Sequence, residues 1–322
     1  EYGETIRIVG IADGSGVVED TEGLDHKELL RLVDAGHSIS HFNIDSLSPS
    51  GSLHDATSVD GLIKRNNMIY RLKTDVFIPC GGRPGTIDES SWKRYFDANN
   101  TPNSKLIVEG ANLFITPNAR EKLQQNGVFI IKDCSANKGG VISSAYEIHA
   151  NLLLPRNRFV NNKHIFAANI VKQIKLLATL EATLMFKMNK QYGGSLTEHS
   201  DRISKAILKV KSIMYDTLHN IDCVDPMYQQ CMNCVRLLTI APVFPDVSDK
   251  NMTALPKEYQ LALIASTFAS HYVYRRGIQA VEGDFLSRAL AQNVMDYFKD
   301  YTDLDEQYLV ARDLNLDVRC QS

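Results

Sequence analysis

Four glycine-containing loops follow strand-like apolar segments, and their polar side chains are candidates for ligand binding. In chain order these loops are A-D-G-S-G at 12–16, P-C-G-G-R-P-G-T at 79–86, V-E-G-A-N-L-F at 108–114 and D-C-S-A-N-K-G-G at 133–140. Ligands of open α/β sheets bind outside the carboxyl ends of the strands. The residues that directly follow each strand are therefore the ones to examine for binding chemistry.

Asp13 is the acidic residue at the end of the first segment. Such a side chain in a dinucleotide-binding fold accepts hydrogen bonds from ribose hydroxyls and repels a 2′-phosphate, which favours NAD over NADP. A tight turn built by Asp13, Gly14 and Gly16 without a ligand is an equally open alternative. The sequence contains neither the fingerprint G-x-G-x-x-G nor a P-loop. If the fold is right, we expect the glycine-rich turn and its strand upstream of residue 1.

Two asparagines, Asn112 and Asn137, lie in the third and fourth loops. The side-chain amide of asparagine offers both a donor and an acceptor, which suits a carboxamide or a sugar hydroxyl. Asparagine is also common in turns, so either residue alone leaves a structural role open. Their occurrence after neighbouring strands favours ligand binding. In the second loop, Gly81, Gly82 and Gly85 allow close approach of the backbone to a ligand, although a simple turn is equally consistent.

Strand-like and helical segments alternate over residues 5–154 and would position these loops. The strand-like segments are 5–12, 75–79, 105–108 and 128–131, and the helical ones are 25–33, 88–99, 117–127 and 141–154. Asp25 and Glu28 resemble a capping box, and Gly36 is a typical helix stop. Thr116 and Pro117 form a typical helix start. The alternation predicts right-handed β-α-β crossovers in an α/β domain with a doubly wound parallel sheet.

The second half of the chain has helical periodicity and little strand signal. Its predicted helices are 163–191, 196–220, 226–240, 256–276 and 283–301. We therefore expect an α/β domain at 1–155 and a mostly helical domain at 156–322. Residues 38–57, which are rich in serine, are predicted to form a long irregular excursion from the first domain.

Composition limits the class of protein. The chain has 322 residues, of which 44% are hydrophobic and 23% charged, and this is enough for a buried core. The net charge of -3 argues against a nucleic acid partner, and no segment has the length and apolarity of a membrane span. We expect a soluble chain without a membrane or nucleic acid partner.

The six cysteines favour a reducing, intracellular compartment. Cys231 and Cys234 form a C-x-x-C, with Cys223 upstream, and a zinc-binding helical domain is one interpretation. A structural zinc site needs four ligands, and no second pair follows. Buried thiols on an amphipathic helix are the favoured interpretation, so we predict no metal.

Four ordered motifs resemble those of a known family. V-E-G-A-N-L-F-I-T-P-N-A-R at 108–120, G-G-R-P-G-T-I at 81–87 and K-D-C-S-A-N-K-G-G-V-I-S-S at 132–144 resemble the NAD-binding domain of the large NAD-specific glutamate dehydrogenases. D-G-S-G-V-V-E-D-T-E-G-L-D at 13–25 is similar to that family's second strand tip. The resemblance implies a Rossmann-like sheet, truncated at its N-terminal side, followed by the helical C-terminal region of the class.

The resemblance also implies an activity and site residues. The reaction would be oxidative deamination of L-glutamate to 2-oxoglutarate and ammonia, with hydride transfer to NAD. Asp13 matches the ribose-binding acid, Asn112 the asparagine near the nicotinamide ribose, and Asn137 the one near the carboxamide and the substrate amine. Ser144 matches a contact to the substrate carboxylate.

In this family the catalytic lysine and aspartate come from a separate substrate domain, so we expect no catalytic acid or base in this chain and no activity from the chain alone. Lys138 is expected near a phosphate or in solvent. A homo-oligomer is expected for the full-length protein, and the mitochondrial matrix and the cytoplasm both stay open as its compartment. The alternative function is a non-catalytic nucleotide-binding or oligomerisation module on the same scaffold.

Overall fold

The computed structural model describes residues 5–282 and 287–299, which form two compact units. The first unit ends at Asn137 and the second begins at Lys138. The helix predicted at 141–154 therefore belongs to the second compact unit. The division of the protein into domains at residue 155 stays a prediction.

The described part of the first unit holds two three-stranded sheets with short helices. Its elements are β1 (Gly10–Ala12), β2 (Gly16–Glu19), α1 (His26–Ala35), β3 (Ser52–Asp55), α2 (Val59–Asn67), β4 (Thr74–Phe77), β5 (Ser104–Val108), α3 (Pro117–Gln125), β6 (Phe129–Ile131) and α4 (Asp133–Ala136). Single turns of 3₁₀-helix occur at Ile39–His41, Ile44–Ser46, Met68–Tyr70 and Trp92–Tyr95.

The second sheet is parallel, with the order β4-β5-β6. Thr74 pairs with Ser104, and Leu106 pairs with Phe129. Ile107 and Ile130 are fully buried in a core that β5 and β6 share with α3 and the loop before it. The three strands predicted here from the sequence are confirmed. Together with the helical region that follows, they confirm the α/β, Rossmann-like fold class.

The first sheet is antiparallel, and here the sequence prediction was wrong in part. The strand expected at 5–12 is shorter, Gly10–Ala12, and it pairs antiparallel with β2 rather than with a parallel neighbour. Residues 38–57 are not wholly irregular, because β3 lies within them and pairs antiparallel with β2. The hydrophobic pattern of a short segment indicates a strand, but it does not specify which other strand that segment pairs with.

The helix ends of the first unit follow the predicted capping residues. The Asp25 carboxylate accepts from the backbone N–H groups of Lys27 and Glu28, and Gly36 ends α1 with a φ of 64°. The capping box is incomplete, because the Glu28 carboxylate binds Arg31 and the backbone N–H of Asn43 instead. The Thr116 hydroxyl accepts from the N–H of Ala119, as predicted for the start of α3.

The prediction of a helix at 88–99 is wrong. The segment is a loop with one 3₁₀ turn, Trp92–Tyr95. The Asp88 carboxylate accepts hydrogen bonds from the backbone N–H groups of Ser90 and Ser91 and from both serine hydroxyls. Short polar side chains that bind the nearby backbone in this way compete with helix formation.

The described part of the second unit is helical. Its elements are α5 (Gly139–Leu153), α6 (Arg156–Asn161), α7 (Lys163–Tyr192), α8 (Leu196–His219), α9 (Pro226–Val235), a π-helical segment (Arg236–Ile240), α10 (Asp249–Thr253), α11 (Lys257–Arg276), α12 (Gln279–Glu282) and α13 (Ser287–Lys299). The predictions at 163–191, 196–220 and 256–276 are confirmed. The helix predicted at 226–240 changes to π-helix at Arg236, and the ends of the one predicted at 283–301 lie outside the described residues.

Helix α11 is the central helix of the second unit. It contacts α7, α8, α9 and α13, and it is buried on most of its circumference. A helix without one dominant polar face is typical of a core position. Within the described residues, none of the helices is long and apolar enough to cross a lipid bilayer.

Burial lowers the pKa of two histidines in this helical unit, His149 and His271. His149 on α5 is hydrogen-bonded through Nδ1 to the Tyr259 hydroxyl at 2.7 Å. Burial lowers the pKa of His149 to about 4. Burial, together with the positive charge of Arg275, lowers the pKa of His271 to about 3. Both imidazoles are therefore neutral in the folded protein near neutral pH.

We predict that the free energy of unfolding decreases as the pH falls from about 6.5 to about 4. In this range the unfolded chain binds protons at His149 and His271 that the folded chain does not, so protonation favours unfolding. Each histidine contributes a slope of up to about 1.4 kcal/mol per pH unit. Urea unfolding at several pH values should show a smaller slope for His149→Gln and an unchanged slope for the exposed control His164→Gln. Equal slopes for all three proteins would contradict the assignment.

Candidate functional site

The two asparagines predicted from the sequence are in contact after β5 and β6. Asn137 Nδ2 donates a hydrogen bond of 2.8 Å to Asn112 Oδ1. The parallel pairing of β5 with β6 brings the loops that follow the two strands to one edge of the sheet. Asn112 is exposed and Asn137 is partly exposed. After their mutual bond, the pair still offers N–H donors and carbonyl acceptors to a ligand.

The loop that carries Asn112 is held by a buried ion pair between Glu109 and Arg120. Arg120 Nε donates to Glu109 Oε2 at 2.8 Å, and Arg120 Nη2 donates to Oε1 at 3.2 Å. Glu109 directly follows β5 and is 0% exposed, while Arg120 lies on α3. The bidentate contact therefore fixes the distance between the end of β5 and the helix that follows the loop.

The same pair satisfies the backbone at the end of this loop. Ile115 N–H donates to Glu109 Oε1 at 3.2 Å, and the Ile115 carbonyl accepts from Arg120 Nη2 at 3.2 Å. Burial raises the pKa of Glu109, and the hydrogen bond and charge of Arg120 oppose this rise. A buried carboxylate of this kind depends on its cationic partner, because an unpaired buried charge is costly.

The glycine-rich second loop packs against the third. Gly82 has a φ of 124°, and a Cβ atom there would be 2.8 Å from the Phe114 ring. Gly85 N–H donates to the Leu113 carbonyl, and Ile87 N–H donates to the Phe114 carbonyl. Gly82 is thus required for the approach of the loop to Phe114, which gives it a structural role. A role in approach to a ligand stays a prediction.

Asp13 lies in the turn between β1 and β2, and its carboxylate is largely occupied. Oδ1 accepts from the Ser15 N–H at 2.7 Å, the Ser15 hydroxyl at 2.6 Å and the Gly16 N–H at 3.2 Å. Oδ2 accepts from the Ile39 N–H at 2.9 Å. Burial raises the pKa of Asp13, but these hydrogen bonds outweigh it, and the pKa is lowered overall. The tight-turn interpretation therefore describes contacts that are present, and the ribose contact stays a prediction.

Ser144 and Lys138 both belong to the second unit. Ser144 is exposed on α5. The expectation that Lys138 lies in solvent or near a phosphate does not match the structure, because its ammonium forms an ion pair with the buried carboxylate of Glu181 on α7. The Tyr274 hydroxyl donates to the same carboxylate at 2.8 Å. The role of Ser144 as a substrate contact stays a prediction.

The cysteines of the C-x-x-C motif are buried in α9. Burial raises the pKa of Cys231 to about 12 and that of Cys234 to about 11. Thiols with raised pKa values are poor metal ligands at neutral pH, because a metal binds the thiolate. Among residues 5–282 and 287–299, no group of three or more histidine, cysteine, aspartate or glutamate side chains has an arrangement that could hold a metal ion.

Sequence reasoning missed Glu109 and Arg120. The available signal was the position of Arg120 on α3, where it lies between the buried residues Ala119 and Leu123. A charged residue on the apolar side of a helix indicates a buried partner, although the sequence does not show that this partner is the glutamate directly after β5.

Comparison with known proteins places the chain among amino acid dehydrogenases. The family model described as Glutamate/Leucine/Phenylalanine/Valine dehydrogenase matches residues 2–191. The chain is 32% identical over 300 residues to a "Probable NAD-specific glutamate dehydrogenase" of Schizosaccharomyces pombe, covering 85% of this chain and 26% of that protein. The NAD-specific glutamate dehydrogenase of Saccharomyces cerevisiae is 31% identical, covering 86% of this chain and 28% of that protein. The one of Neurospora crassa is 33% identical, covering 87% of this chain and 29% of that protein. The chain thus spans less than a third of the length of these relatives.

We predict that breaking the Glu109–Arg120 pair strongly destabilises the first unit. Glu109→Ala leaves a buried guanidinium without its carboxylate, which costs about 3–5 kcal/mol. The double variant with Glu109→Leu and Arg120→Met should lose less, because no unpaired charge remains. Urea unfolding checks both. Lys64→Ala, which removes the exposed pair with Asp60, is the control and should change stability little. A loss of less than about 1 kcal/mol in Glu109→Ala would contradict the importance of the pair.

Proposed function

From the premise that this chain belongs to the glutamate/leucine/phenylalanine/valine dehydrogenase family, we propose that the complete protein oxidatively deaminates L-glutamate with NAD. The products are 2-oxoglutarate and ammonia. The relatives named as NAD-specific glutamate dehydrogenases support this choice of substrate and cofactor. The observation that carries the proposal for this chain is the contact between Asn112 and Asn137, because the two side chains predicted to orient the nicotinamide are hydrogen-bonded neighbours at one edge of the sheet.

The proposed role of the pair is orientation. When bound, NAD supplies the hydride acceptor, and the reaction requires the donor and acceptor carbons to be held near contact. Asn137 would bind the carboxamide and the substrate amine, and Asn112 the nicotinamide ribose. The bond between them restricts the rotation of both side chains, so the remaining donors and acceptors have fixed directions. The amide chemistry present at this edge therefore fits the cofactor.

Asp13 is proposed to contribute to the choice of NAD over NADP. Among the described residues, the donor to its Oδ2 atom is the Ile39 N–H, and a carboxylate oxygen can accept a second hydrogen bond. That remaining position is available to a ribose hydroxyl, and the negative charge would repel a 2′-phosphate. The NAD-specific names of the relatives support this preference.

The substrate contact and the proton-transfer groups complete the proposal. Ser144 would contact the substrate carboxylate from the start of α5. The catalytic lysine and aspartate of the family that the motifs resemble are expected outside this chain, so we assign no catalytic acid or base here and expect no turnover by the chain alone.

Assembly of the complete protein into a homo-oligomer stays a prediction, which light scattering would test.

The first test is Asn137→Ala in the complete protein. The wild type should reduce NAD when L-glutamate is added. The variant should lose roughly a hundredfold in kcat with a smaller change in KM, because the reacting carbons are misaligned. Steady-state kinetics and the melting temperature are both measured. A normal kcat with a lowered melting temperature would reduce Asn137 to a turn residue. A wild type that binds NAD without glutamate turnover would favour the non-catalytic module.

The second test is Asp13→Ser, which separates the two roles of this carboxylate. If Asp13 binds ribose, the KM for NAD should rise and the ratio of the KM for NADP to the KM for NAD should fall, which corresponds to a loss of about 1–3 kcal/mol of discrimination. Loss of the turn contacts alone would lower stability and leave this ratio unchanged. Asp20→Ser, which removes a buried carboxylate that binds the backbone N–H of Ser48, is the control for the structural effect. An unchanged ratio in Asp13→Ser would remove the residue from the cofactor site.

A further inference from the structure

We propose that Asp133 is a positioning residue that fixes the Asn112–Asn137 pair in its working geometry without contacting substrate or cofactor. The inference rests on the proposed function, since the pair is taken to orient the nicotinamide. Asp133 is the first residue of α4, two residues after the end of β6. It makes separate contacts to the loop of each asparagine.

The side chain of Asp133 binds the loop after β5. Its Oδ2 atom accepts from the Leu113 N–H at 2.9 Å, and its Oδ1 atom accepts from the Cys134 N–H at 2.8 Å. Leu113 directly follows Asn112 in the chain. A carboxylate that accepts a backbone N–H forms a charge-assisted bond, which is stronger than a neutral one. The carboxylate therefore anchors the backbone beside Asn112.

The backbone of Asp133 binds the loop after β6. The Asp133 carbonyl accepts from the Asn137 N–H at 2.7 Å. One residue thus holds the main chain at Asn137 and the main chain next to Asn112, while the two asparagine side chains bind each other. These contacts form a closed ring through Asp133, Leu113, Asn112 and Asn137.

The conformation of Leu113 shows why this anchor is needed. Leu113 has a φ of 56°, in the left-handed region that non-glycine residues rarely adopt. Its side chain is 63% exposed, so burial of the leucine does not hold it there. The backbone is held instead by polar contacts, from the N–H to Asp133 and from the carbonyl to the Gly85 N–H at 2.8 Å. Such a strained residue persists only where its surroundings determine it.

The kinetic experiment compares Asp133→Ala, Asp133→Asn and a matched control, Asp97→Ala, in the complete protein. Asp97 is also a loop carboxylate that accepts two backbone N–H bonds, from Asn99 and Thr101 at 2.9 Å, but it precedes β5. Asp133→Ala should lower kcat about tenfold to hundredfold with little change in the KM for NAD, because the pair is misplaced. Asp133→Asn should restore most of kcat, since its amide oxygen can accept from the Leu113 N–H. Asp97→Ala should leave kcat unchanged.

A double variant separates positioning from general stabilisation. If Asp133 acts through the pair, adding Asp133→Ala to Asn137→Ala should lower kcat little further, because the interaction is already lost. Full additivity of the two effects would overturn the proposal. So would a variant Asp133→Ala with wild-type kcat, or an asparagine variant no more active than the alanine variant.

Hydrogen exchange provides a readout that does not depend on turnover. Asp133→Ala should increase amide exchange in residues 110–116, and Asp97→Ala should not. If the wild type reduces no NAD with glutamate, the proposed function fails, and the exchange pattern alone decides whether Asp133 holds the loop. Unchanged exchange in residues 110–116 of Asp133→Ala would overturn the positioning role whatever the activity.

Discussion

The buried ion pair between Glu109 and Arg120 is the interaction on which the candidate site depends. It closes the loop that leaves β5 and returns as α3, and it also binds the N–H and carbonyl of Ile115 at the end of that loop. A loop fixed at both ends has few conformations, so the residues between the ends can be held in a geometry that they would not adopt alone. Asn112 and Leu113 lie in this interval.

Two further layers of contacts build on this closed loop. Phe114 packs into the core of the first unit and against Gly82, which joins the second loop to the third. Asp133 then joins the third loop to the fourth through the Leu113 N–H. The exposed asparagine pair is thus supported by a fully buried charge, a buried aromatic ring and a backbone-binding carboxylate. Support of this kind limits the motion of polar groups that must keep a fixed direction toward a ligand.

In the second unit, buried polar side chains join helices to one another. Lys138 and Tyr274 both bind the Glu181 carboxylate, and His149 binds the Tyr259 hydroxyl. These contacts join α5, α7 and α11 inside a unit whose other core residues are largely apolar. Each of them satisfies a group that would be costly to bury alone, so they select one packing arrangement of the helices over others.

The sequence by itself determined the elements whose signals are local. Short apolar runs located β4, β5 and β6, and helical periodicity located the long helices α7, α8 and α11. Capping residues such as Thr116 and Gly36 located helix ends. The four motifs were sufficient to indicate the family, and two of the predicted site residues, Asn112 and Asn137, are in contact. The elements and helix ends depend on neighbours within a few residues in the chain, whereas the contact of Asn112 with Asn137 depends on the pairing of β5 with β6.

Only the tertiary structure decided which distant groups meet. Three pairs of contacting residues have no signal in the sequence that would identify the partners. They are Glu109 with Arg120, Asp133 with Leu113, and Lys138 with Glu181. The antiparallel partner of β1 was also missed, because hydrophobic periodicity does not specify strand pairing. The loop at 88–99 was missed for a local reason, since the Asp88 carboxylate binds the backbone N–H groups of Ser90 and Ser91 and so competes with helix formation. A charge is stabilised in the interior only by the particular atoms that surround it, and the fold brings those atoms together from separate parts of the chain.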